Sequence, residues 1–233
     1  MKKFEVIIPV INVDLLIELL ESIEINTLQP QRIIIINNNA AFSTDSLFAE
    51  MYKKITYNLC SKISVYYSQF GLCNESLNLG IIKLSDECDY VSFLNDDVVL
   101  TDCFFQRNLE LFENEKCGVA CPRTVHSIDK LQKGKVNVEM MKRREGWAFS
   151  IRKDLLDKIP PFPSERIATF HFDDWYWFYS IKEHKMLWYK DTGNVVYHAV
   201  GSSVDKLGFK KHKARERNEF NVIEGEKGWG RKK

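Results

Sequence analysis

Apolar positions in this chain fall in short runs closed by polar residues. Phe4–Val10 is rich in β-branched and apolar residues and predicts a first strand. Asn12 stands where a helix cap belongs, and Leu15, Leu16, Leu19, Leu20 and Ile23 then recur at helical spacing. Arg32–Ile36 predicts a second strand, bounded by Asn37, Asn38 and Asn39. Thr44–Leu59 reads as a helix and Ile63–Tyr67 as a third strand. Asn74–Leu84 reads as a short helix with Leu77, Ile81 and Leu84 on one face, and Tyr90–Leu94 as a fourth strand. Strands alternating with helices in this order predict a parallel sheet covered on both faces.

The rhythm changes after Leu100. Phe104–Phe112 has a helical pattern, and Gly118–Cys121 reads as a short strand. Residues 123–145 are polar and irregular, with Lys130, Lys133, Lys135, Lys142, Arg143 and Arg144. A loop of that length in a compact domain is usually functional or mobile. Trp147–Ile151 predicts another strand, and the run Pro160-Pro161-Phe162-Pro163 forces an extended turn. Asp174–His184 reads as a helix and Asn194–His198 as a last strand. No internal repeat interrupts this order. The pattern describes one α/β domain whose second half is reworked into a site-forming region.

At 233 residues with 45% hydrophobic residues, the chain can bury a sizeable core as one large domain or two small ones. No apolar run approaches the roughly 20 residues of a membrane helix. The opening MKKFEVIIPV superficially resembles a signal peptide, but Glu5 and Asp14 interrupt it and no small-residue cleavage site follows. A first strand is expected there instead. Cys60, Cys73, Cys88, Cys103, Cys117 and Cys121 contain no CxxC pair, which suits reduced thiols of a cytoplasmic protein. The formal charge of +1 hides an asymmetry: residues 206–233 carry ten Lys or Arg and four Glu, so the rest of the chain is acidic. A basic tail suggests contact with nucleic acid, an anionic membrane surface or a diphosphate, or else simply a solvated tail.

Candidate chemistry centres on the end of the fourth strand. The apolar run Tyr90–Leu94 stops at Asn95, Asp96 and Asp97. Carboxylates at the carboxyl end of a buried strand sit where open α/β sheets bind ligands. Adjacent carboxylates repel each other, and a divalent metal with oxygen ligands would offset them. A polar turn is the plainer alternative. Asp173 and Asp174 open an aromatic stretch from Trp175 to Tyr179, where capping and the helix dipole alone would favour them. Five consecutive aromatic positions cannot all face inward, so some are expected to line a cleft. His198 ends the last strand, and Gly146 before Trp147 would let backbone approach a ligand closely.

The order of these pieces resembles the GT-A-fold glycosyltransferases, most closely those of the family 2 type, over about residues 4–203. VIIPV is similar to the family's first strand, and IIIINNN to its second strand and the polar residues after it. QFGLCNESLNLGI resembles the family's N-x-G-x-x-x-x-N-x-G segment, with Gly71, Asn78 and Gly80 in place. FLNDDV stands at the D-x-D motif. EGWAFSIRKDLL resembles the acceptor-side segment, and the stretch from FHFDDW to YHAVGSS resembles the E-D helix followed by the V-x-x-H strand. Three departures stand out. Asn95 replaces the first Asp of many relatives, Asn37–Asn39 replace an acid after the second strand, and residues 123–145 match no family segment.

The resemblance implies a Rossmann-like GT-A domain over residues 1–205, with a mostly parallel central sheet flanked by helices. A nucleotide-sugar half would span about 1–100, an acceptor half about 101–205, and a basic tail 206–233. It implies an inverting, metal-dependent transfer from a nucleotide-sugar, a UDP-sugar by expectation, to a hydroxyl acceptor. The donor would lie near Pro9, Val10, Asn12, Asn37, Asn38 and Asn78, with Asp96 facing its ribose or sugar. Asp97, Asn95 and His198 would hold Mn²⁺ or Mg²⁺. Asp174 is the first choice of base and Asp173 the second, because a hydroxyl must lose its proton during attack. Gly146, Trp147 and Trp175 would form the acceptor side, which could take a glycan precursor, a protein, a small molecule or a modified nucleic-acid base. Two competing readings remain. A sugar nucleotidyltransferase would show a Gly-rich loop after the first strand, where Ile11-Asn12-Val13-Asp14 stands. A binding module that has lost catalysis is the other.

Overall fold

Four parallel strands carry the first half of the chain, as the alternation of elements predicts. The computed structural model describes residues 2–39, 41–68, 73–142, 146–199 and 210–229. Gly71, Arg143, Arg144 and residues 206–209 and 230–233, named above, lie outside the described residues. The first half runs β1 (Phe4–Val10), α1 (Val13–Glu24), β2 (Arg32–Asn37), α2 (Thr44–Met51), α3 (Tyr57–Cys60), β3 (Ile63–Tyr67), α4 (Cys73–Ile82) and β4 (Tyr90–Leu94). The second half adds β5 (Val98–Leu100), α5 (Phe104–Leu111), β6 (Cys117–Val125), β7 (Val138–Met140), β8 (Ala148–Arg152), α6 (Lys153–Leu156), α7 (Phe172–Phe178), β9 (Leu187–His198) and α8 (Lys210–Glu226).

The strands form one sheet in the order β3-β2-β1-β4-β8-β6-β9-β5, with β7 paired to β9. The β3-β2-β1-β4 half is wholly parallel. Beyond β4 the sheet is mixed. β8 runs antiparallel to both its neighbours, β6 and β9 are parallel, and β5 and β7 lie antiparallel to β9.

Alternation along β1 explains its continuous apolar run. Val6, Ile8 and Val10 enter one core with Leu16, Leu19, Leu20 and Ile23 of α1. Ile7 enters the other core, with Leu77 of α4. Successive side chains of a strand point to opposite faces, so a sheet covered on both sides needs no polar face. Gly80 lets α4 lie close on β1, since a Cβ there would meet Ile7 Cγ2 at 2.5 Å.

Several elements differ from the pattern. The helix expected over Thr44–Leu59 breaks after Met51. Thr56 takes an extended N-cap conformation, and its N–H donates to Glu24 Oε1 at 2.9 Å, which starts α3 afresh. β6 runs past its expected end to Val125, with a register shift at Pro122/Arg123. Proline cannot donate to a ladder and sits in sheets at such irregularities. The polar segment after β6 is pinned down. Buried Arg107 pairs with Asp191 at 2.6 Å and donates through Nη1 to Gly134 O and Gly193 O at 2.9 and 2.8 Å.

The basic segment also joins the body. Phe220 and Ile223 of α8, with Trp229 beyond it, are buried in the core that holds α7. Arg166 pairs with Glu219 and Glu226 at 2.6 and 2.9 Å. The surplus aromatics of α7 are absorbed here rather than in a cleft. Phe178 stacks on Trp229 with ring centres 5.3 Å apart, and Trp177 packs on Trp188 of β9. No helix among the described residues is long and apolar enough to cross a membrane.

Candidate active site

Strand order reverses between β1 and β4, and a crevice opens there at the carboxyl ends, as in open α/β sheets. A cavity of about 330 Å³ lies at this point. Pro9, Ile11, Asn95, Asp96, Asp97, Gly146, Trp147, Asp173 and His198 are among its lining residues. The volume is that of a small-molecule site.

Asp96 ties the two strand ends together. Its Oδ2 accepts the backbone N–H groups of Ile11 and Asn12, both at 2.7 Å. Burial pushes its carboxyl up to about 6; the two amides oppose that rise, and the neighbouring Asp97 charge adds to it. Asn12 caps α1 by accepting the Asp14 N–H at 3.1 Å, so the turn is fixed from both sides.

Asp97 and His198 come from strands far apart in sequence. β5 pairs with β9 in a register that sets Val98 opposite His198, and Ala199 N donates to Asp97 O at 3.0 Å. The side chains therefore meet, with His198 Nε2 3.3 Å from Asp97 Oδ1. Trp147 stacks on the His198 ring at 4.5 Å and 17°, while its Nε1 donates to Thr124 Oγ1 at 3.0 Å. His198 Nδ1 has no hydrogen-bond partner among the described residues, so packing against Trp147 orients the ring. His126 adds a contact from Nδ1 to His198 O at 3.3 Å.

This pair fits a divalent cation. Two ligands at about 2.1 Å and at right angles lie roughly 3 Å apart, close to the observed spacing. One carboxylate, one imidazole and the neutral Asn95 are too few to enclose an ion, and among the described residues no group of three or more His, Cys, Asp or Glu forms a metal site. Such an open set suits Mg²⁺ or Mn²⁺ completed by phosphate oxygens and water.

The two aspartates of α7 have different surroundings. Asp173 lies on the cavity wall beside Gly146, where a Cβ would meet Asp173 Cβ and Cγ at 2.6 Å. Asp174 is buried and is not part of the lining. Its Oδ2 contacts His171 Nδ1 and lies 3.6 Å from Arg217 Nη1 of α8. His171 precedes α7 in a left-handed conformation, φ 70°, and its ring stacks on Phe220.

Other expected site residues serve the frame. Val10 is fully buried in the core. Asn37 donates to Phe42 O at 2.8 Å and accepts from Asn39 N at 2.9 Å. Asn38 Oδ1 accepts from Ser76 Oγ, and its Nδ2 is buried with no acceptor among the described residues. Asn78 lies off the cavity and clamps Phe162 through both its backbone N–H and C=O, at 3.1 and 2.8 Å. Trp175 is also off the cavity: it is buried, donates to Pro160 O and packs on Phe162, Tyr179 and Trp229.

The sequence pattern missed Asn74, His171 and Lys213, which also line the cavity. Asn74 is buried and donates to Ile167 O and Phe170 O, both at 2.9 Å, which shapes the wall before α7. Its place in the Asn-rich start of α4 was the available signal. Lys213 carried only the general signal of the basic segment, because the packing of α8 alone brings it here.

A mixed sheet with a wholly parallel β3-β2-β1-β4 half, and a strand-end Asp and far-strand His on one cavity, is consistent with the GT-A glycosyltransferase fold. The family description "Glycosyl transferase family 2" matches residues 5–178, and the chain belongs to that family. Among solved structures, residues 1–349 of S. aureus TarS superpose with a TM-score of 0.60 at 15% identity, over 84% of this chain and 60% of that one. A longer TarS structure gives a TM-score of 0.61 at 14% identity, over 85% of this chain and 37% of that one. This chain thus spans less than two thirds of each TarS chain, and the likeness is one of fold. No curated protein matches the sequence.

Proposed function

We propose that this domain is an inverting, divalent-metal-dependent glycosyltransferase that moves a sugar from a UDP-sugar to a hydroxyl acceptor. The observation that carries the reading is the Asp97–His198 pair at 3.3 Å on the wall of a cavity that Asp173 also lines. Asp97 and His198, with Asn95 beside them, hold Mn²⁺ or Mg²⁺. When bound, the cation supplies positive charge against the leaving diphosphate. Asp96 positions the turn after β1, where Pro9 and Ile11 border the donor. Asn38, whose Nδ2 has no acceptor among the described residues, suits the edge of a uracil better than Asn37, whose amide is already engaged.

Asp173 takes the proton of the acceptor hydroxyl as it attacks the anomeric carbon. A base must come within hydrogen-bond reach of that proton, and Asp173 rather than Asp174 borders the cavity. Asp174 holds His171 and Arg217 behind it. Attack from the face opposite the leaving diphosphate inverts the anomeric centre.

Thermal unfolding with UDP, GDP, CMP and dTDP, each with Mn²⁺ or chelator, tests this reading. UDP with Mn²⁺ at about 100 times its Kd should add about 2.7 kcal/mol, or roughly 5–10 °C. The shift should vanish in chelator. No shift with any nucleotide would overturn the proposal.

Gly146→Ala tests the placement of the base. The added Cβ overlaps Asp173 at 2.6 Å and must push it aside. Transfer should fall about ten- to hundredfold, while the UDP-dependent melting shift persists. Wild-type transfer rates in this variant would show that Asp173 needs no fixed position.

A further inference from the structure

We infer that the hydroxyl acceptor carries an anionic group, phosphate or carboxylate, which Lys213 of α8 binds at the cavity. The inference rests on the reading of the cavity as a transfer site. Lys213, Glu216 and Arg217 stand three and four residues apart, so they share one face of α8. Glu216 and Arg217 fix that face to the cavity wall. Glu216 is 1% exposed and accepts the backbone N–H groups of Thr169 and Phe170 at 3.1 and 2.9 Å. Arg217 lies 3.6 Å from Asp174 Oδ2. One turn earlier, the same face delivers Lys213 to the cavity lining.

The two cations of this face have different surroundings. Arg217 offsets the buried charge of Asp174. Lys213 has no carboxylate partner among the described residues, and its Nζ lies 5.9 Å from the centre of the Phe170 ring. It borders the cavity alongside Thr169, Phe170 and His171, on the approach to α7 and the proposed base. Asp97 and His198, which suit the cation of the donor diphosphate, come from the ends of β4 and β9 instead. An anionic acceptor approaching Asp173 meets like charge, and an ammonium beside its path offsets that repulsion. A lysine is a point-charge partner for phosphate or carboxylate. A neutral acceptor would gain only a hydrogen bond from it, without the charge attraction.

The test is an NMR titration of the protein saturated with UDP and Mn²⁺, using glycerol 3-phosphate, glycerate and glycerol as probes. Both anions, or one of them, should bind about tenfold more tightly than glycerol. Which anion prevails identifies the group. Lys213→Ala should abolish the preference and Lys213→Arg should keep it, with UDP affinity within about twofold of wild type in both. Three results would overturn the inference: anions binding no better than glycerol, a preference that survives Lys213→Ala, or a loss of UDP affinity larger than the loss of probe affinity. The last would assign the lysine to the donor diphosphate. If wild-type protein does not bind UDP, the donor reading fails by itself. The same titration without nucleotide then decides the anion site by whether Lys213→Ala removes the preference.

Discussion

Asp173→Asn is expected to lower the rate of sugar transfer by about 100-fold or more while leaving UDP binding within about twofold. Asparagine keeps the shape of the side chain beside Gly146 but cannot accept the acceptor's proton. The proposed donor side lies on β1, β4 and β9, so the substitution should leave the Mn²⁺-dependent melting shift intact. Asp174→Asn is the necessary companion. Asp174 is buried against His171 and near Arg217, so its loss should show first as a lower melting temperature. Near-normal turnover in Asp173→Asn, with a folded but inactive Asp174→Asn, would transfer the role of base to Asp174.

Asp97→Ala should abolish the Mn²⁺-dependent stabilisation by UDP and reduce transfer by about 10²–10³-fold. The fold should survive. The contact that joins the β4 end to β9 is made by backbone, Ala199 N to Asp97 O at 3.0 Å, and persists without the carboxylate. What disappears is the anionic half of the pair with His198. His198→Ala should produce a weaker form of the same defect, since a neutral imidazole adds less attraction for a dication than a carboxylate. A wild-type Mn²⁺-dependent shift in Asp97→Ala would remove the cation from this position.

Local chemistry was legible wherever it rests on near neighbours in sequence. The apolar, β-branched Phe4–Val10 strand, the Asn12 cap and the abrupt polar end of β4 all appear in the structure as read. Asn78 and Trp175 lie off the cavity for one shared reason. Both belong to motif-like segments, but a helix presents several faces, and packing against the Pro160–Pro163 segment chose which face each one shows. The choice between Asp173 and Asp174 has the same character. Consecutive helix positions point about 100° apart, and here Asp173 borders the cavity while Asp174 turns toward His171 and Arg217.

By itself the sequence determined the parallel half-sheet, the two buried helical layers and the family resemblance, because periodicity and turn chemistry act over a few residues. Only the tertiary structure decided the mixed half of the sheet, the meeting of Asp97 with His198, and the place of α8. Asp97 and His198 are about a hundred positions apart and meet through β5–β9 register, which no local pattern encodes. The basic segment read as a tail because its charge is conspicuous and its three anchors, Phe220, Ile223 and Trp229, are sparse. Burial of those few side chains against the surplus aromatics of α7 turns part of the tail into a wall of the site.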